Sequence, residues 1–185
     1  MSFPPAHALI AAGLADVVVA ARPAPRWRAW MVAAVLGIVP DFDIGLGLLL
    51  GRGATLHGTM THSVAAVVVV ALIAYAFGRG RWALIAGTAY GSHLVVDLLD
   101  ESGPTNLMLG WPFTGARPFA IGRFFPKVPV EGNGPVDTAL NLLRPDAIEK
   151  LVMQTLLGIA VFLVLLAVAY SIRRLRSAPV SPGSR

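Results

Sequence analysis

The chain of 185 residues contains no cysteine, and only 14% of its residues are charged. The absence of cysteine excludes a disulfide scaffold and a cysteine nucleophile, so any metal must be bound by histidine and carboxylate side chains. Soluble domains carry about a quarter charged residues, whereas this chain is 56% hydrophobic with a mean hydropathy of +0.69. The composition therefore excludes a disordered protein and a two-domain cytosolic enzyme, and it indicates a membrane protein.

Five apolar runs approach the roughly 20 residues that span a bilayer. They cover residues 5–21, 27–39, 63–77, 82–99 and 151–172. The second run is short unless the apolar residues 44–50 belong to the same membrane-embedded unit. The sequence therefore predicts an all-α fold, a polytopic membrane helical bundle with about four to five hydrophobic segments. We expect one integral-membrane domain over residues 1–176 and a disordered Pro/Ser-rich tail over residues 177–185.

The basic residues predict an orientation, because arginine clusters mark the cytoplasmic connections of membrane proteins. Three clusters lie in alternate connections, at Arg22, Arg26 and Arg28, at Arg79 and Arg81, and at Arg173, Arg174 and Arg176. The N-terminus and the connections at 41–62 and 101–150 then lie on the extracytoplasmic side. Because the net charge of +5 is explained by these clusters, we expect no nucleic-acid partner.

All four histidines and three aspartates lie at ends of apolar runs that this topology assigns to the outer side. The seven residues are His7, Asp41, Asp43, His57, His62, His93 and Asp97. An ionised group in mid-bilayer costs roughly 2.5–3.5 kcal/mol, so polar residues inside an apolar segment need a partner. A divalent metal is such a partner, and we predict that these seven residues are its ligands.

Each motif also has a simpler explanation when it is taken alone. The pair His93 and Asp97, one helical turn apart, suits two ligands of one ion or an intrahelical hydrogen bond. In the PDFD motif, Asp41 and Asp43 could bind a cation or cap a helix. His57 and His62 flank a glycine and fit a turn that brings both rings together, although such pairs are often ordinary surface or core histidines. The metal hypothesis depends on all of these motifs converging.

Nitrogen and oxygen ligands without sulfur suit zinc, manganese, iron or magnesium. Zinc is our first expectation, with manganese or magnesium as alternatives. Seven ligands exceed the four of a tetrahedral zinc site, so the sequence favours two ions about 3.5–4 Å apart with a bridging aspartate.

The reaction class that needs no organic cofactor and no nucleophilic side chain is metal-assisted hydrolysis. Asp100 is our candidate for the general base. Hydroxyl groups near the histidines are candidates for orienting the imidazole rings. They belong to Tyr90, Thr61, Ser63 and Ser92.

Together the motifs resemble the LexA-binding, inner-membrane-associated metal-dependent hydrolase family (YdjM-like). The matching elements are His7, the PDFD motif at 40–43, the HGTMTHS motif at 57–63, the GSHLVVD motif at 91–97, Gly103 and the Pro-Phe pair at 112–113. The resemblance implies a multi-pass protein of the bacterial inner membrane. The family is also distantly similar to zinc-dependent phospholipase C and P1-type nucleases, which act on phosphoesters.

The sequence departs from the family pattern at two places. Gly58 replaces the usual arginine of an HRG triplet, so Arg52 or Arg123 would have to provide any substrate anion contact made by that arginine. The second departure is Asp100-Glu101, where a threonine is common. The acidic pair adds negative charge near the expected metal site.

The position of the histidines at the outer bilayer boundary favours an amphiphilic substrate such as a lipid or a lipid-linked head group. The stretch at 123–127 combines aromatic rings with cations that attract lipid phosphate, although an ordinary interfacial loop has the same composition. A non-enzymatic membrane adaptor with a structural metal site, as a LexA-binding protein would be, is one alternative. A small transporter is another, with Asp16 as its deep carboxylate.

Overall fold

The computed structural model describes residues 4–22, 24–51, 56–100, 107–114, 124–126, 128 and 135–177. Its helices are α1 (Pro4–Ala21), α2 (Arg26–Ile38), α3 (Phe42–Leu49), α4 (Val64–Leu98), α5 (Pro135–Leu142) and α6 (Pro145–Ser177). The described residues contain no β-strand, only an isolated bridge between Asp100 and Phe125. The predicted all-α fold is therefore confirmed. Helix α6 extends one residue into the predicted tail, and residues 178–185 lie outside the described part.

Four stretches are long and apolar enough to cross a membrane. They are Pro4–Ala21, Arg26–Leu49, Val64–Leu98 and Pro145–Ser177. The second stretch contains α2, a 3-10 turn at Val39–Asp41 that includes Pro40, and α3. The short second apolar run and the residues after it thus form one unit, as the sequence analysis required for a full span.

Helix α4 is a hairpin that turns at Arg79, where the backbone has φ 61° and ψ −171°. In a straight helix, the 16 residues from Ala71 to Gly87 would cover about 24 Å. A Cβ atom built on Gly87 would instead lie 3.4 Å from the Cβ of Ala71, and one built on Gly91 would lie 3.6 Å from Val67. The two arms therefore pack antiparallel, and they correspond to the third and fourth apolar runs.

Helix α1 lies at the centre of the bundle and packs against α2, α4 and α6. Small residues allow the close approach to α6. A Cβ atom on Gly158 would lie 2.9 Å from the Cα of Ala6, and one on Gly13 would lie 2.8 Å from the side chain of Leu165. Packing of this kind is typical of membrane helices, whose association does not depend on exclusion of water.

Arginines from two of the three clusters donate hydrogen bonds to the buried carboxylate of Asp16. Arg26 donates to it through two nitrogens at 2.6 and 3.2 Å, and Arg173 donates at 3.1 Å. The indole of Trp30 donates a fourth bond at 3.1 Å. Because Asp16 lies nine residues, about 13.5 Å, along α1 from His7, the bundle has a basic end and a histidine end.

Candidate metal centre

The fold brings all seven predicted ligands to one end of the bundle. His7 comes from the first turns of α1, Asp41 and Asp43 from the junction of α2 and α3, His57 and His62 from the loop before α4, and His93 and Asp97 from the second arm of α4. Six of these side chains are buried, and the His57 side chain is 14% exposed. The convergence predicted from the sequence is therefore present in the structure.

Four of the seven residues place one atom each around a common point. These atoms are Oδ1 of Asp41, Nε2 of His62, Nε2 of His93 and Oδ2 of Asp97. The two Nε2 atoms are 3.1 Å apart. Oδ2 of Asp97 lies 3.3 Å from His62 and 3.2 Å from His93, and Oδ1 of Asp41 lies 3.4 Å from His93. Ligands at 2.0–2.1 Å from a tetrahedral zinc ion would be about 3.3–3.4 Å apart, so this group could hold a metal ion.

The Nδ1 atoms of His62 and His93 point away from the centre, and each already lies beside a polar partner. The Nε2 atoms are therefore the nitrogens that face the centre. Nδ1 of His93 lies 2.8 Å from the carbonyl oxygen of Gly37, to which it donates. Nδ1 of His62 lies 3.2 Å from Oδ2 of Asp43. In a neutral imidazole, the other nitrogen then carries a lone pair. Two lone pairs and two carboxylate oxygens would then face one another, an arrangement that a proton or a metal ion between them would stabilise.

The carboxylates of Asp41 and Asp97 have no hydrogen-bond donor in the described part of the structure. Asp41 is the N-cap residue of α3, but its side chain makes no capping bond. Asp97 is within 3.2 Å of His93 without forming a directed hydrogen bond. Capping by Asp41, the simpler explanation for the PDFD motif, therefore does not apply, whereas His93 and Asp97 do contact each other within one helix.

A second group of potential ligands shares His62 with the first. Asp43 lies 3.1 Å from Nδ1 of His57 and 3.2 Å from Nδ1 of His62. The hydroxyl of Thr61 donates to Asp43 at 2.6 Å. A carboxylate that holds the outer nitrogen of a metal-binding histidine is a common arrangement in metal sites. Asp43 therefore fits the role of orienting His62 as well as that of a ligand.

His7 lies beside the four-atom group. Its ring stacks on His93 with 3.8 Å between centroids, and its Nε2 is 3.5 Å from Oδ1 of Asp97. Both ring nitrogens are buried and lack a hydrogen-bond partner among the described residues. His7 is therefore available as a further ligand or as a donor to Asp97.

The charges around His62 favour a proton when no ion is bound. Burial opposes the charged imidazole, but the carboxylates of Asp43 and Asp97 outweigh burial and raise the pKa of His62 above its ordinary value. A metal ion that bound here would therefore have to displace a proton, as is usual for histidine ligands.

The predicted hydroxyl groups divide into two pairs. Thr61 contacts Asp43, and its carbonyl oxygen accepts a bond of 2.8 Å from Tyr90, so both support the centre. Ser63 caps α4 by accepting from the amide of Ala66, and Ser92 donates to the carbonyl of Ala89. The hydroxyls of Ser63 and Ser92 therefore bond the backbone of helix α4 rather than an imidazole.

Asp100 is buried three residues beyond Asp97 and belongs to neither group of potential ligands. Its role as general base stays a prediction. The candidate substrate-binding residues Arg52 and Arg123 lie outside the described residues, as does Gly103.

Sequence analysis missed the contribution of Gly37. A Cβ atom at this position would lie 2.7 Å from the Cβ of Ala11 and 2.9 Å from the carbonyl oxygen of His7. The glycine thus allows α2 to approach α1 closely enough for its carbonyl to hold His93. A glycine inside a helical pattern was the available signal.

The loop that carries His57 and His62 is fixed by a distant segment. Gly58 has φ 81°, and its carbonyl oxygen accepts a bond of 2.8 Å from the amide of Met108. The amide of Val64 donates to the carbonyl of Leu109 at 3.0 Å. The predicted turn is confirmed, since the two imidazole centroids are 4.3 Å apart.

Comparison with known proteins agrees with the resemblance carried by these motifs. No curated protein and no solved structure matches the chain significantly. A family model described as YdjM inner membrane protein matches residues 1–177. Because this match includes every residue of the candidate centre and almost the whole length, the chain belongs to the YdjM inner membrane protein family.

Proposed function

We propose that this protein is a membrane-bound metal-dependent hydrolase that acts on a phosphoester, with a lipid or lipid-linked head group as substrate. The observation that carries the proposal is the set of four converging acceptor atoms from Asp41, His62, His93 and Asp97. Among the described side chains, no donor bonds either carboxylate. A divalent ion, with zinc as the first expectation, satisfies all four.

The arrangement favours one tightly held ion over the two-ion site expected from the number of ligands. The second group uses Nδ1 of His62, while the first uses Nε2 of the same ring. One imidazole serves two ions only if it loses both protons. We therefore assign Asp43 and His57 to the surroundings of a single ion.

When bound, the ion would lower the pKa of a water molecule towards about 7 and polarise the oxygen of the scissile bond. The protein residues would hold and orient the reactants. Asp43 and Thr61 keep His62 in the required tautomer, and the carbonyl of Gly37 does the same for His93. We assign the removal of a proton from the attacking water to Asp100, which is the nearest acidic residue along the chain beyond Asp97.

The arrangement of helices supports a multi-pass topology with the centre on the extracytoplasmic side. Helices α1 and α6 run in the same direction, because Ala6 lies near Gly158 and Asp16 bonds Arg173. With α2 antiparallel to α1 and α4 folded as a hairpin, the arginine clusters bonded to Asp16 lie at the end opposite His7. The positive-inside rule assigns the cluster end to the cytoplasm.

The contacts of Asp16 disfavour the transporter alternative. A transport site needs a deep ionisable group that can release its partners. Asp16 instead accepts bonds from Arg26, Arg173 and Trp30 and ties three helices together. This role is structural.

The test is hydrolysis of a generic aryl phosphodiester and of labelled lipid extracts by detergent-purified protein, with and without a chelator. We expect turnover that requires a divalent metal and that falls by at least about 100-fold in Asp41→Asn, as for loss of a charged group that stabilises a transition state. The matched control is Asp146→Asn, which removes an exposed carboxylate from the start of α6. Turnover that resists the chelator, or equal turnover by Asp41→Asn, would refute the mechanism. Activity restricted to soluble esters or peptides would refute the lipid assignment alone.

A further inference from the structure

A cavity of about 510 Å³ lies between α1, the second arm of α4 and α6. This volume is within the range of about 300–1,000 Å³ that is typical of ligand sites. Its α1 wall begins at Ile10, three residues after His7, and continues to Leu14. The second arm of α4 provides most of the remaining wall, which Phe124, Phe125 and, from α6, Val161 complete.

The wall of this cavity is almost entirely apolar, and its two hydroxyl groups are already bonded. Thr88 donates to the carbonyl of Leu84 at 2.6 Å, and Ser92 donates to the carbonyl of Ala89 at 2.7 Å. A polar occupant would therefore lose hydrogen bonds to water without gaining replacements. A hydrocarbon occupant has no such cost.

The length of the cavity matches one leaflet of a bilayer. The lining residues run from Thr88 in α4 to Leu99, which directly follows that helix, and this stretch corresponds to about 16 Å along a helix. Half of the hydrocarbon thickness of a bilayer is about 15 Å. His93 and Asp97 lie within this same stretch of α4 without lining the cavity, so the cavity passes the candidate centre at the same depth and extends from there toward the basic end.

Two partly exposed lining residues mark a lateral opening of the cavity. Val95 is 49% exposed and Phe124 is 55% exposed, and both line the cavity. In a membrane this side faces lipid, so a chain can enter without passing through water.

The geometry points to a binding site for one acyl chain of a phospholipid, at the same depth in the bundle as the candidate metal centre. This inference deepens the proposed function, because it makes the substrate a two-part molecule whose chain is recognised by α1, α4 and α6. The acyl chain fixes the depth of the lipid in the bilayer and thereby the position of its phosphoester.

The experiment measures binding without turnover. Purified protein in lipid nanodiscs is exposed to phosphatidylethanolamine that carries a photoreactive diazirine in the middle of one acyl chain, and the labelled peptides are identified by mass spectrometry. We expect saturable labelling concentrated on residues 88–99 and on the neighbouring lining residues of α1 and α6.

Two substitutions fill the cavity from different helices, and each has a matched control. Val95→Trp and Val161→Trp should lower the labelling of residues 88–99 by about tenfold, which corresponds to about 1.4 kcal/mol of binding free energy, because the indole ring would occupy volume that the acyl chain needs. Val68→Trp and Val164→Trp introduce the same side chain at exposed positions of α4 and α6 that do not line the cavity, and they should label like the wild type. Folding of every variant is checked by its gel-filtration profile, and the two independent variants allow for failure of one to fold.

The outcomes separate this inference from the proposed function. Labelling distributed evenly over all apolar helices, or equal labelling in Val95→Trp and Val68→Trp, would overturn the acyl-chain site. Asp41→Asn should retain the labelling pattern although it loses hydrolysis. If no variant or wild-type sample hydrolyses any phosphoester while the labelling pattern is as expected, the proposed function fails and the acyl-chain site stands.

Discussion

At the scale of single residues, the candidate centre depends on which nitrogen of each histidine faces the ion. The carbonyl of Gly37 and the carboxylate of Asp43 bind the Nδ1 atoms of His93 and His62. Both Nε2 atoms are therefore directed at the carboxylates of Asp41 and Asp97. Without these outer partners the two imidazole rings could rotate, and the candidate ligands would lose their fixed geometry.

We expect His93→Ala and Asp97→Asn each to remove most bound metal, because each contributes one of the four converging atoms. His57→Ala should retain most of the metal, since His57 belongs only to the second group. The measurement is metal content per protein by inductively coupled plasma mass spectrometry after gel filtration. Asp146→Asn serves as the control for loss of a carboxylate. Wild-type metal content in both His93→Ala and Asp97→Asn would refute the metal centre, and loss in His57→Ala would favour two ions.

The hydroxyl of Thr61 should tune metal affinity through Asp43. Thr61→Val preserves the shape of the side chain and removes its bond of 2.6 Å to Asp43, so we expect affinity to fall by about 10-fold, as for other outer partners of metal ligands. Competition with a chromogenic chelator measures the change. Thr155→Val is the matched control, because that hydroxyl bonds only the carbonyl of Leu151 on its own helix. Equal affinities of the two variants would exclude an orienting role for Thr61.

At the scale of secondary structure, close helix approach creates the centre. Helix α1 contributes His7, the junction of α2 and α3 contributes Asp41, and the second arm of α4 contributes His93 and Asp97. The approach of α2 to α1 at Gly37 sets the position of the carbonyl that holds His93. Gly37 therefore affects both the packing of α2 against α1 and the hydrogen bond that orients His93.

Gly37→Ala should destabilise the protein and weaken metal binding together. The added Cβ atom would lie 2.7 Å from Ala11 and 2.9 Å from the carbonyl of His7, so α2 must move away from α1, at a cost of about 1–3 kcal/mol. Thermal unfolding in detergent with and without added zinc measures both effects. Gly45→Ala on α3 is the matched control, because a Cβ there would meet no atom within 4 Å. Equal melting temperatures of the two variants would contradict this account.

At the scale of the whole molecule, the bundle has two chemically distinct ends. One end carries the histidines and aspartates, and the other carries the arginines that surround Asp16. Positive charge is retained on the cytoplasmic side during insertion. By this rule, the distribution of arginine predicts that the candidate centre lies on the extracytoplasmic side.

Cysteine labelling tests this orientation, and the chain offers a clean background because it contains no cysteine. We expect Met60→Cys, at an exposed position beside His62, to react with a membrane-impermeant maleimide in spheroplasts. These are cells that have lost the outer membrane but keep an intact inner membrane. Ser177→Cys, at the end of α6, should react only after the membrane is permeabilised. The reverse pattern would invert the topology, and reaction of both positions in intact spheroplasts would exclude opposite ends on opposite sides.

The sequence by itself determined the helical membrane class, the separate apolar segments and the set of candidate ligands. Composition and the length of apolar runs are local properties, and the spacing of His93 and Asp97 places them on one helix face before any tertiary contact forms. Even the turn around Gly58 follows from local sequence, since glycine accepts a positive φ. These features needed no knowledge of how the helices pack.

Only the tertiary structure decided which ligand atoms meet. The distances among Asp41, His62, His93 and Asp97 depend on the relative positions of three separate segments, and sequence patterns contain no distances between elements. The tautomers of His62 and His93 were likewise undetermined until their outer partners, Asp43 and the carbonyl of Gly37, came into contact. The same holds for Asp16, which appears in the sequence as an isolated charge in an apolar run. It is a structural anchor because folding brings Arg26 and Arg173 to it from two other helices.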